Sequence, residues 1–205
     1  MKQFILKNNF WIMETLGLAV LLVLLFCWNS LVPTQRISGM FFVAIVLHVI
    51  EEMKLPGGFV DMVVKFTGMP VVNMEVPKFY LSLLIIYMAL VPMFFPRVAF
   101  MGAAPLFLGV IEIFAHLLAA AKMNESHKFY SPGMVTSLLI MLPMTAYGFY
   151  TVISQHLVTG WNWLWAFLYL VIPLFGLQRY IIHSIGMDYR VFIGNALHAL
   201  FGKGE

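Results

Sequence analysis

Two clusters of histidine and glutamate interrupt otherwise apolar stretches of this 205-residue sequence. The first lies in HVIEEMKLPGG, where His48, Glu51 and Glu52 are spaced i, i+3 and i+4. The second lies in GVIEIFAHLL, where Glu112 and His116 are spaced i, i+4. On an α-helix these spacings place side chains on one face. Each cluster therefore offers imidazole and carboxylate groups that project in a common direction.

Imidazole and carboxylate groups without thiolates suit Zn, Fe or Mn. With three glutamates, one divalent ion would leave the site net negative, whereas two ions would leave it slightly positive. Helical bundles commonly hold two-metal sites built from Glu and from Glu/His pairs. Neither pattern matches a defined catalytic signature such as HExxH. The residues therefore predict a site for one or two divalent transition metals, Zn or Fe foremost.

The composition indicates a polytopic membrane protein. Hydrophobic residues make up 62% of the chain and charged residues 10%, and the mean hydropathy is +0.92, unlike a soluble domain. The N-terminal stretch carries the lysines of a signal sequence, but its apolar run is about twice as long as a secretory h-region and lacks a small-residue cleavage site. We interpret it as a membrane helix that is retained. The single cysteine, Cys27, lies within this helix and excludes a disulfide framework or a cysteine metal cluster.

The predicted fold is an all-α bundle of about six membrane-spanning helices in a single domain, residues 1–205. A span needs roughly 20 residues, and Pro, Gly and charged residues mark its ends. The second span is the least apolar, and its acidic end can insert only if it faces protein or metal rather than lipid. Residues 56–78 are predicted to be a loop with an interfacial segment, and the tail from Asp188 an amphipathic helix on the membrane surface. The six predicted spans cover residues 11–32, 36–54, 79–96, 98–121, 133–154 and 162–183.

Lysine and arginine are distributed unevenly between the two ends of this predicted bundle. Because these residues accumulate on the cytoplasmic side of short loops, both termini are expected in the cytoplasm. The second and fourth spans then run inward, and the two His/Glu clusters can meet near the cytoplasmic face. The net charge of +3 follows from this bias, and without a basic stripe it indicates no nucleic-acid partner. The N-terminal side carries Lys2, Lys7, Lys54, Lys65, Lys78, Lys122, Lys128, Arg179, Arg190 and Lys203, and the opposite side only Arg36 and Arg97.

Further ionisable residues fall on the same predicted side. His127, after the fourth span, and His183, at the end of the sixth, are candidate additional metal ligands, although histidines at such positions are commonly interfacial. Glu14, near the start of the first span, is a further candidate partner that is more typical of a snorkelling carboxylate. His156 falls on the far side of the membrane and His198 in the surface tail. Neither of these two is expected at the site.

The sequence resembles the bacterial HXXEE-domain membrane proteins, whose motif appears here as HVIEE, beginning at His48. The likeness extends through GVIEIFAHLL to the turn Ser131-Pro132-Gly133 and covers about residues 37–155. The family pattern has Asn-Pro-Gly at this turn. Here Ser131 is expected to cap the helix that follows and Pro132 to occupy its first turn. The resemblance implies an integral protein of the bacterial cytoplasmic (inner) membrane, groups the five Glu and His residues as one site, and implies no particular reaction.

The residues favour a metal-dependent membrane enzyme that acts on a lipid or another hydrophobic substrate from the cytoplasmic leaflet. With Zn the expected reaction is hydrolysis, with one of Glu51 and Glu52 as general base and the other as ligand. With two irons the same ligands would support hydroxylation or desaturation, but the HxxxH and HxxHH boxes of membrane di-iron hydroxylases are absent. Hydrolysis is therefore ranked first.

Two other function classes remain at this point. One is a non-enzymatic transporter of protons or a cation, which the lack of an internal repeat and the scarcity of ionisable residues in the outer half of the bundle disfavour. The other is an intramembrane protease of the EExxxR type, which is disfavoured because Met53-Lys54-Leu55 follows the glutamates without an arginine. The sequence leaves the oligomeric state open.

Overall fold

The computed structural model describes residues 2–69, 74–122 and 129–202, and these residues contain helices and no strand. The predicted all-α class is confirmed. In the described part of the chain the α-helices are α1 Lys2–Cys27, α2 Pro33–Met53, α3 Phe59–Thr67, α4 Glu75–Ile85, α5 Ala99–Lys122, α6 Met134–Thr136, α7 Leu142–Ser154, α8 Asn162–Ser184 and α9 Tyr189–Phe201.

Five helical segments of the described residues are long and apolar enough to cross a membrane. This agrees with the integral membrane protein that the composition predicts, but the count of six spans is not confirmed. The predicted span that is absent from these five segments is α2, which is 21 residues long and carries the ionisable residues of the HVIEE stretch. The five segments are Gln3–Ser30, Glu75–Phe94, Ala99–Lys122, Met134–Ser154 and Asn162–Ser184.

Helix α2 lies at the centre of the bundle. It packs against α1, α5, α7 and the C-terminal turns that extend α4. Its apolar side chains, including Phe41, Phe42 and Ile45, are buried, and so are His48 and Glu52. The acidic end of α2 therefore faces protein, which is the condition under which a helix of this composition can lie within a membrane.

Two of the long segments contain a π-helical turn that ends two positions before a proline. Ile86–Leu90 extends α4 and precedes Pro92, and Ser137–Met141 joins α6 to α7 and precedes Pro143. Proline has no N–H to donate to the preceding turn, so the regular hydrogen-bond ladder is broken at these points. Such turns recur at functional sites. The second one directly follows Thr136, which belongs to the site described below.

Two glycines allow α5 and α7 to approach closely. A Cβ atom at Gly109 would collide with the Thr145 hydroxyl and the Phe41 ring, and one at Gly148 would collide with Leu106. The Thr145 hydroxyl is buried and has no hydrogen-bond partner among the described residues. This crossing holds α5 beside both α2 and α7, and so fixes the position of the second His/Glu cluster.

The C-terminal ends of α2, α5 and α8 lie at one end of the bundle, together with α3 and α9; we call it the site end. Asn195 of α9 donates to the Thr67 carbonyl oxygen at 2.6 Å, and Lys122 donates to the Gly202 carbonyl oxygen at 3.2 Å. The predicted loop of residues 56–78 thus contains a helix, α3, and α4 begins at Glu75, four residues earlier than expected. The C-terminal tail contains a helix, α9, while its amphipathic character and its place on a membrane surface stay predictions.

Candidate metal centre

Four potential ligand atoms converge at the site end. The Nε2 atoms of His48 and His116 lie 3.2 Å apart. Glu52 Oε1 lies 3.5 Å from the first and 3.6 Å from the second, and Glu112 Oε2 lies 3.8 Å and 3.5 Å from them. Ligands bound tetrahedrally at 2.0–2.2 Å from a zinc ion are about 3.3–3.6 Å apart. The measured separations are close to this spacing.

Three of these four side chains are buried and one is not. His48, Glu52 and His116 form a buried group whose ligand atoms all lie within 4.8 Å of one another, so this group could hold a metal ion. The Glu112 side chain keeps 27% of its surface exposed. The cluster is thus closed on three sides and accessible at Glu112.

Hydrogen bonds determine which nitrogen of His48 carries the proton. The Thr136 hydroxyl has a single hydrogen, which it donates to Glu51 Oε2 at 2.6 Å, the nearer of its two acceptors. The same hydroxyl oxygen lies 3.0 Å from His48 Nδ1 and must accept there, so Nδ1 is the protonated nitrogen. The Nε2 atom of a neutral His48 therefore points its lone pair into the cluster.

The same reasoning applies to His116. The Ser131 hydroxyl donates to the backbone carbonyl oxygen of His116 at 2.9 Å, and its oxygen lies 3.2 Å from His116 Nδ1. The Nδ1 atom must therefore donate to Ser131. As in His48, the Nε2 lone pair of the neutral ring is directed into the cluster.

The centre of the cluster therefore contains four acceptors and no donor. Two Nε2 lone pairs face each other at 3.2 Å, with a carboxylate oxygen of Glu52 and one of Glu112 beside them. Buried acceptors without a donor are costly, and buried carboxylates without a counter-charge more so. A metal ion, a proton on an imidazole or a proton on one of the carboxylates would each relieve this arrangement. One divalent ion would balance the charges of both carboxylates.

Glu51 lies outside this cluster. Its carboxylate accepts the backbone N–H groups of Val135 and Thr136 at 3.1 and 2.7 Å, the Thr136 hydroxyl, and the Tyr130 hydroxyl at 3.0 Å. Val135 and Thr136 are the second and third residues of the helix that begins with α6. Glu51 thus supplies from α2 the acceptor that an N-cap side chain normally provides. Its proposed ligand or catalytic role stays a prediction.

Tyr130 is a stable donor in this arrangement. It lies in the segment between α5 and α6, where burial and its hydrogen bond to the Glu51 carboxylate raise its pKa to about 12. The phenol therefore remains protonated at neutral pH and holds one carboxylate oxygen of Glu51. This contact ties the end of α2 to the segment before α6.

Gly133 forms the wall of the cluster. It is the N-cap of α6 with φ +94°, a conformation that favours glycine. A Cβ atom there would lie 2.6 Å from His116 Cε1, 2.7 Å from His48 Cε1 and 2.9 Å from Glu52 Cγ. The cap predicted at Ser131 is therefore wrong, because the helix begins two residues later than that cap requires. Ser131 instead orients His116.

The other sequence candidates that the structure describes are not in the cluster. His183 is exposed on α8 and lines a separate cavity, and His127 lies outside the described residues. Glu14 forms an ion pair with Lys54 at 2.5 Å. His156 follows α7 and is exposed at the opposite end of the bundle, as expected from the topology. The sequence reasoning missed Thr136, which no local signal marks.

The residues of the cluster lie within a segment that matches a known sequence family. The family model described as "Protein of unknown function with HXXEE motif" matches residues 39–148, more than half of the chain. The chain belongs to the HXXEE family. The resemblance inferred from His48, Glu112 and the Pro132-Gly133 turn is confirmed, since all of them lie within the match. No curated protein and no solved structure matches this HXXEE protein.

The residues of the HXXEE motif have two different structural roles. Its histidine and second glutamate, His48 and Glu52, point into the four-atom cluster. Its first glutamate, Glu51, holds the start of α6, which carries Gly133 and Thr136 against the cluster. The adjacent acidic residues of the motif therefore face different partners, because neighbouring positions on a helix do not share a face.

Proposed function

We propose that this HXXEE protein binds one divalent transition-metal ion, Zn or Fe, through the buried His48, His116 and Glu52, with Glu112 beside the ion, and that it is a metal-dependent membrane enzyme. The observation that carries the proposal is the convergence of four acceptors without a donor. One ion is preferred to two, because a single divalent charge offsets two carboxylates. Among residues 2–69, 74–122 and 129–202, only one group of three or more possible ligands is found.

The donor set supports hydrolysis as the first candidate reaction. Two histidines and one glutamate, with a further position open, are typical of catalytic zinc. A divalent ion held there would supply Lewis-acid chemistry, by polarising a carbonyl or phosphoryl oxygen. Two histidines and one carboxylate also suit a single non-haem iron. An iron-dependent oxidation is therefore the second candidate, and the identity of the ion decides between them.

Glu112 is the carboxylate best placed to act as general base. Glu52 is buried between the two imidazoles, and Glu51 already accepts four hydrogen bonds. Glu112 is partly exposed, on a helix whose neighbouring Ile111 and Leu118 are exposed and apolar. In hydrolysis Glu112 would take a proton from water as the water oxygen bonds to the substrate carbonyl or phosphoryl centre. The bond to the leaving oxygen then breaks, and that oxygen receives the proton.

A hydrophobic substrate is supported by a groove beside the cluster. The groove has a volume of about 490 Å³ and runs between α2 and the segment from α6 to the following π-helical turn. Its walls are mainly apolar, with Glu51 and Thr136 at the polar end. Leu47, Leu55 and Val135 in its lining are exposed on the outer surface of the bundle, where lipid would lie. We propose that it receives the acyl chain of a lipid-like substrate.

The enzymatic proposal is tested with purified protein and a panel of fluorogenic lipid carboxylic esters and phosphodiesters. Hydrolysis should stop when the metal is chelated and return when Zn or Fe is restored. Glu112→Gln should lower kcat by about 10²–10⁴-fold, the usual contribution of a general base, while bound metal remains on the three buried ligands. Glu14→Gln is the matched control, because Glu14 pairs with Lys54 outside the cluster.

Three results would count against this assignment. A wild-type rate for Glu112→Gln would remove its role as base. Metal-loaded protein that hydrolyses no member of the panel but consumes oxygen in the presence of iron would favour oxidation. Protein that never binds metal would leave a proton between the imidazoles and favour the proton-carrying transporter.

We further propose that α2 is a sixth span and that the site end faces the cytoplasm of a bacterium. The positive charges at that end support this orientation. In a Cys27→Ala background, a cysteine replacing exposed Gln155, at the opposite end, should react with an impermeant thiol reagent added to intact cells. A cysteine replacing exposed Lys122, at the site end, should react only after lysis. The reverse pattern would invert the proposed topology.

A further inference from the structure

A polar cavity lies at the site end, away from the metal centre and separate from the apolar groove. It has a volume of about 670 Å³ and is formed where α8 ends, the chain turns and α9 begins. Its lining is rich in groups that bind anions. The residues are Gly176, Arg179, Tyr180, His183, Asp188, Tyr189 and Arg190.

The charged side chains that line this cavity are mainly positive and are not neutralised by ion pairs among the described residues. Neither Arg179 nor Arg190 forms an ion pair with a carboxylate in the part of the chain that the structure describes, and both are exposed. The only carboxylate in the lining is Asp188, which accepts the Arg190 and Val191 backbone N–H groups at 2.7 and 3.4 Å as the N-cap of α9. The acidic group is thus engaged with the helix while the two guanidinium groups remain unpaired.

The tyrosines add a donor. Tyr180 accepts a hydrogen bond from the Tyr80 hydroxyl at 3.4 Å, so its own hydrogen is free to point into the cavity. Tyr189 donates to Gln178 Oε1 at 2.8 Å and is therefore held in place by α8. The cavity offers guanidinium and phenol donors from two helices that a phosphate group could accept simultaneously.

A small hydrophobic core fixes this corner of the bundle. Met69, Ile182 and Phe192 are buried together and join the residues just after α3, the end of α8 and the first turn of α9. Tyr180 and Val191 beside the cavity are exposed to the surroundings of the bundle. Helix α8 is one of the five segments able to cross a membrane. A membrane crossed by α8 would have its lipid headgroups beside the last turns of the helix, which carry the cavity.

We propose that this cavity binds the phosphate of an anionic phospholipid headgroup. Basic pockets beside membrane helices bind such headgroups by charge and hydrogen bonding. Arginine suits the site because its planar fork can hold two phosphate oxygens at once. The proposal uses none of the residues of the metal centre and is independent of the enzymatic function. His183 is also part of the cavity lining.

The test measures binding of short-chain phosphatidylglycerol to the purified full-length protein in neutral detergent, with short-chain phosphatidylcholine and inorganic phosphate in parallel. Phosphatidylglycerol should raise the melting temperature of the wild-type protein, and more so at low salt. The double variant Arg179→Gln/Arg190→Gln should bind it about 30-fold more weakly, the effect expected of two arginines near a membrane surface. Arg97→Gln, an exposed arginine at the opposite end, should bind it as the wild type does.

A double variant that conserves the charges is the control for misfolding of the glutamine variant. Arg179→Lys/Arg190→Lys keeps both charges without the planar fork, so it should bind phosphatidylglycerol more tightly than the glutamine variant and less tightly than the wild type. Both double variants should melt without lipid at the wild-type temperature. Equal binding of phosphatidylglycerol by the wild type and the glutamine variant would overturn the proposal. So would equal binding of phosphatidylcholine. Stabilisation by inorganic phosphate alone would assign the cavity to a soluble phosphate compound and overturn the lipid assignment.

Discussion

Replacing His48 or His116 with alanine should remove the metal ion from this protein. The wild-type protein, purified after growth with Zn, Fe and Mn, is expected to contain roughly one transition-metal ion per chain. Each substitution leaves two of the three buried ligands and exposes the remaining imidazole to a cavity. The loss of affinity should therefore exceed the ~10–100-fold change that follows loss of an outer hydrogen-bond partner. Elemental analysis of the purified variants by mass spectrometry measures the content and names the metal.

The control for this experiment is His156→Ala. His156 is exposed at the opposite end of the bundle, so its removal should leave the metal content unchanged. Because His48 lies on α2 and His116 on α5, equal losses from the two helices can arise only from a shared ion. Wild-type protein without metal after supplementation would contradict the proposed centre. Loss from one histidine variant alone would show that the other does not bind the ion.

Metal binding can also be used to measure the contribution of the hydrogen bonds that orient the ligands. Thr136→Val keeps the shape of the side chain but removes the acceptor for His48 Nδ1 and a donor to Glu51. Metal affinity, measured by competition with a chromophoric chelator, should fall about 10–100-fold. Thr145→Val is the matched control, since that buried hydroxyl has no hydrogen-bond partner among the described residues. Equal affinities for the two variants would show that Thr136 does not orient His48.

Gly133→Ala should have an effect as large as the loss of a ligand, although glycine binds nothing. The added Cβ would lie within 2.9 Å of three ligand side chains, those of His48, His116 and Glu52. In addition, the φ of +94° would be strained by about 1–3 kcal/mol for a residue with a side chain. The imidazoles must separate to admit the methyl group. We expect the variant to lose its metal and to melt at a lower temperature.

Gly58→Ala distinguishes backbone strain from the steric effect of the added Cβ atom. Gly58 has a similar φ of +99°, but a Cβ there would meet only Pro132 Cγ at 3.5 Å, an ordinary contact. This variant should carry a comparable backbone strain while retaining its metal. If Gly133→Ala bound metal as tightly as Gly58→Ala does, Gly133 would not form the wall of the centre.

Local patterns in the sequence predicted the helical class and most of the cluster. Spacings of i, i+4 put His48 with Glu52, and Glu112 with His116, because an α-helix repeats every 3.6 residues whatever surrounds it. The apolar lengths between charged residues located the helices to within a few residues at most ends, with α1 beginning well before the predicted span. Counting spans then brought the two pairs to one end of the bundle. These inferences need only local geometry and the thickness of a membrane.

The detailed arrangement of the cluster depends on how the helices pack against one another. Glu51 and Glu52 are equivalent in sequence, yet one holds the start of α6 and the other faces the imidazoles, because the rotation of α2 against its neighbours selects the partner of each. Thr136, Ser131 and Gly133 became part of the site only when the segment before α7 packed against α2 and α5. Such contacts join residues 15 to 88 positions apart. No periodicity encodes them, since they depend on how whole helices pack and on which acceptors remain once the backbone is satisfied.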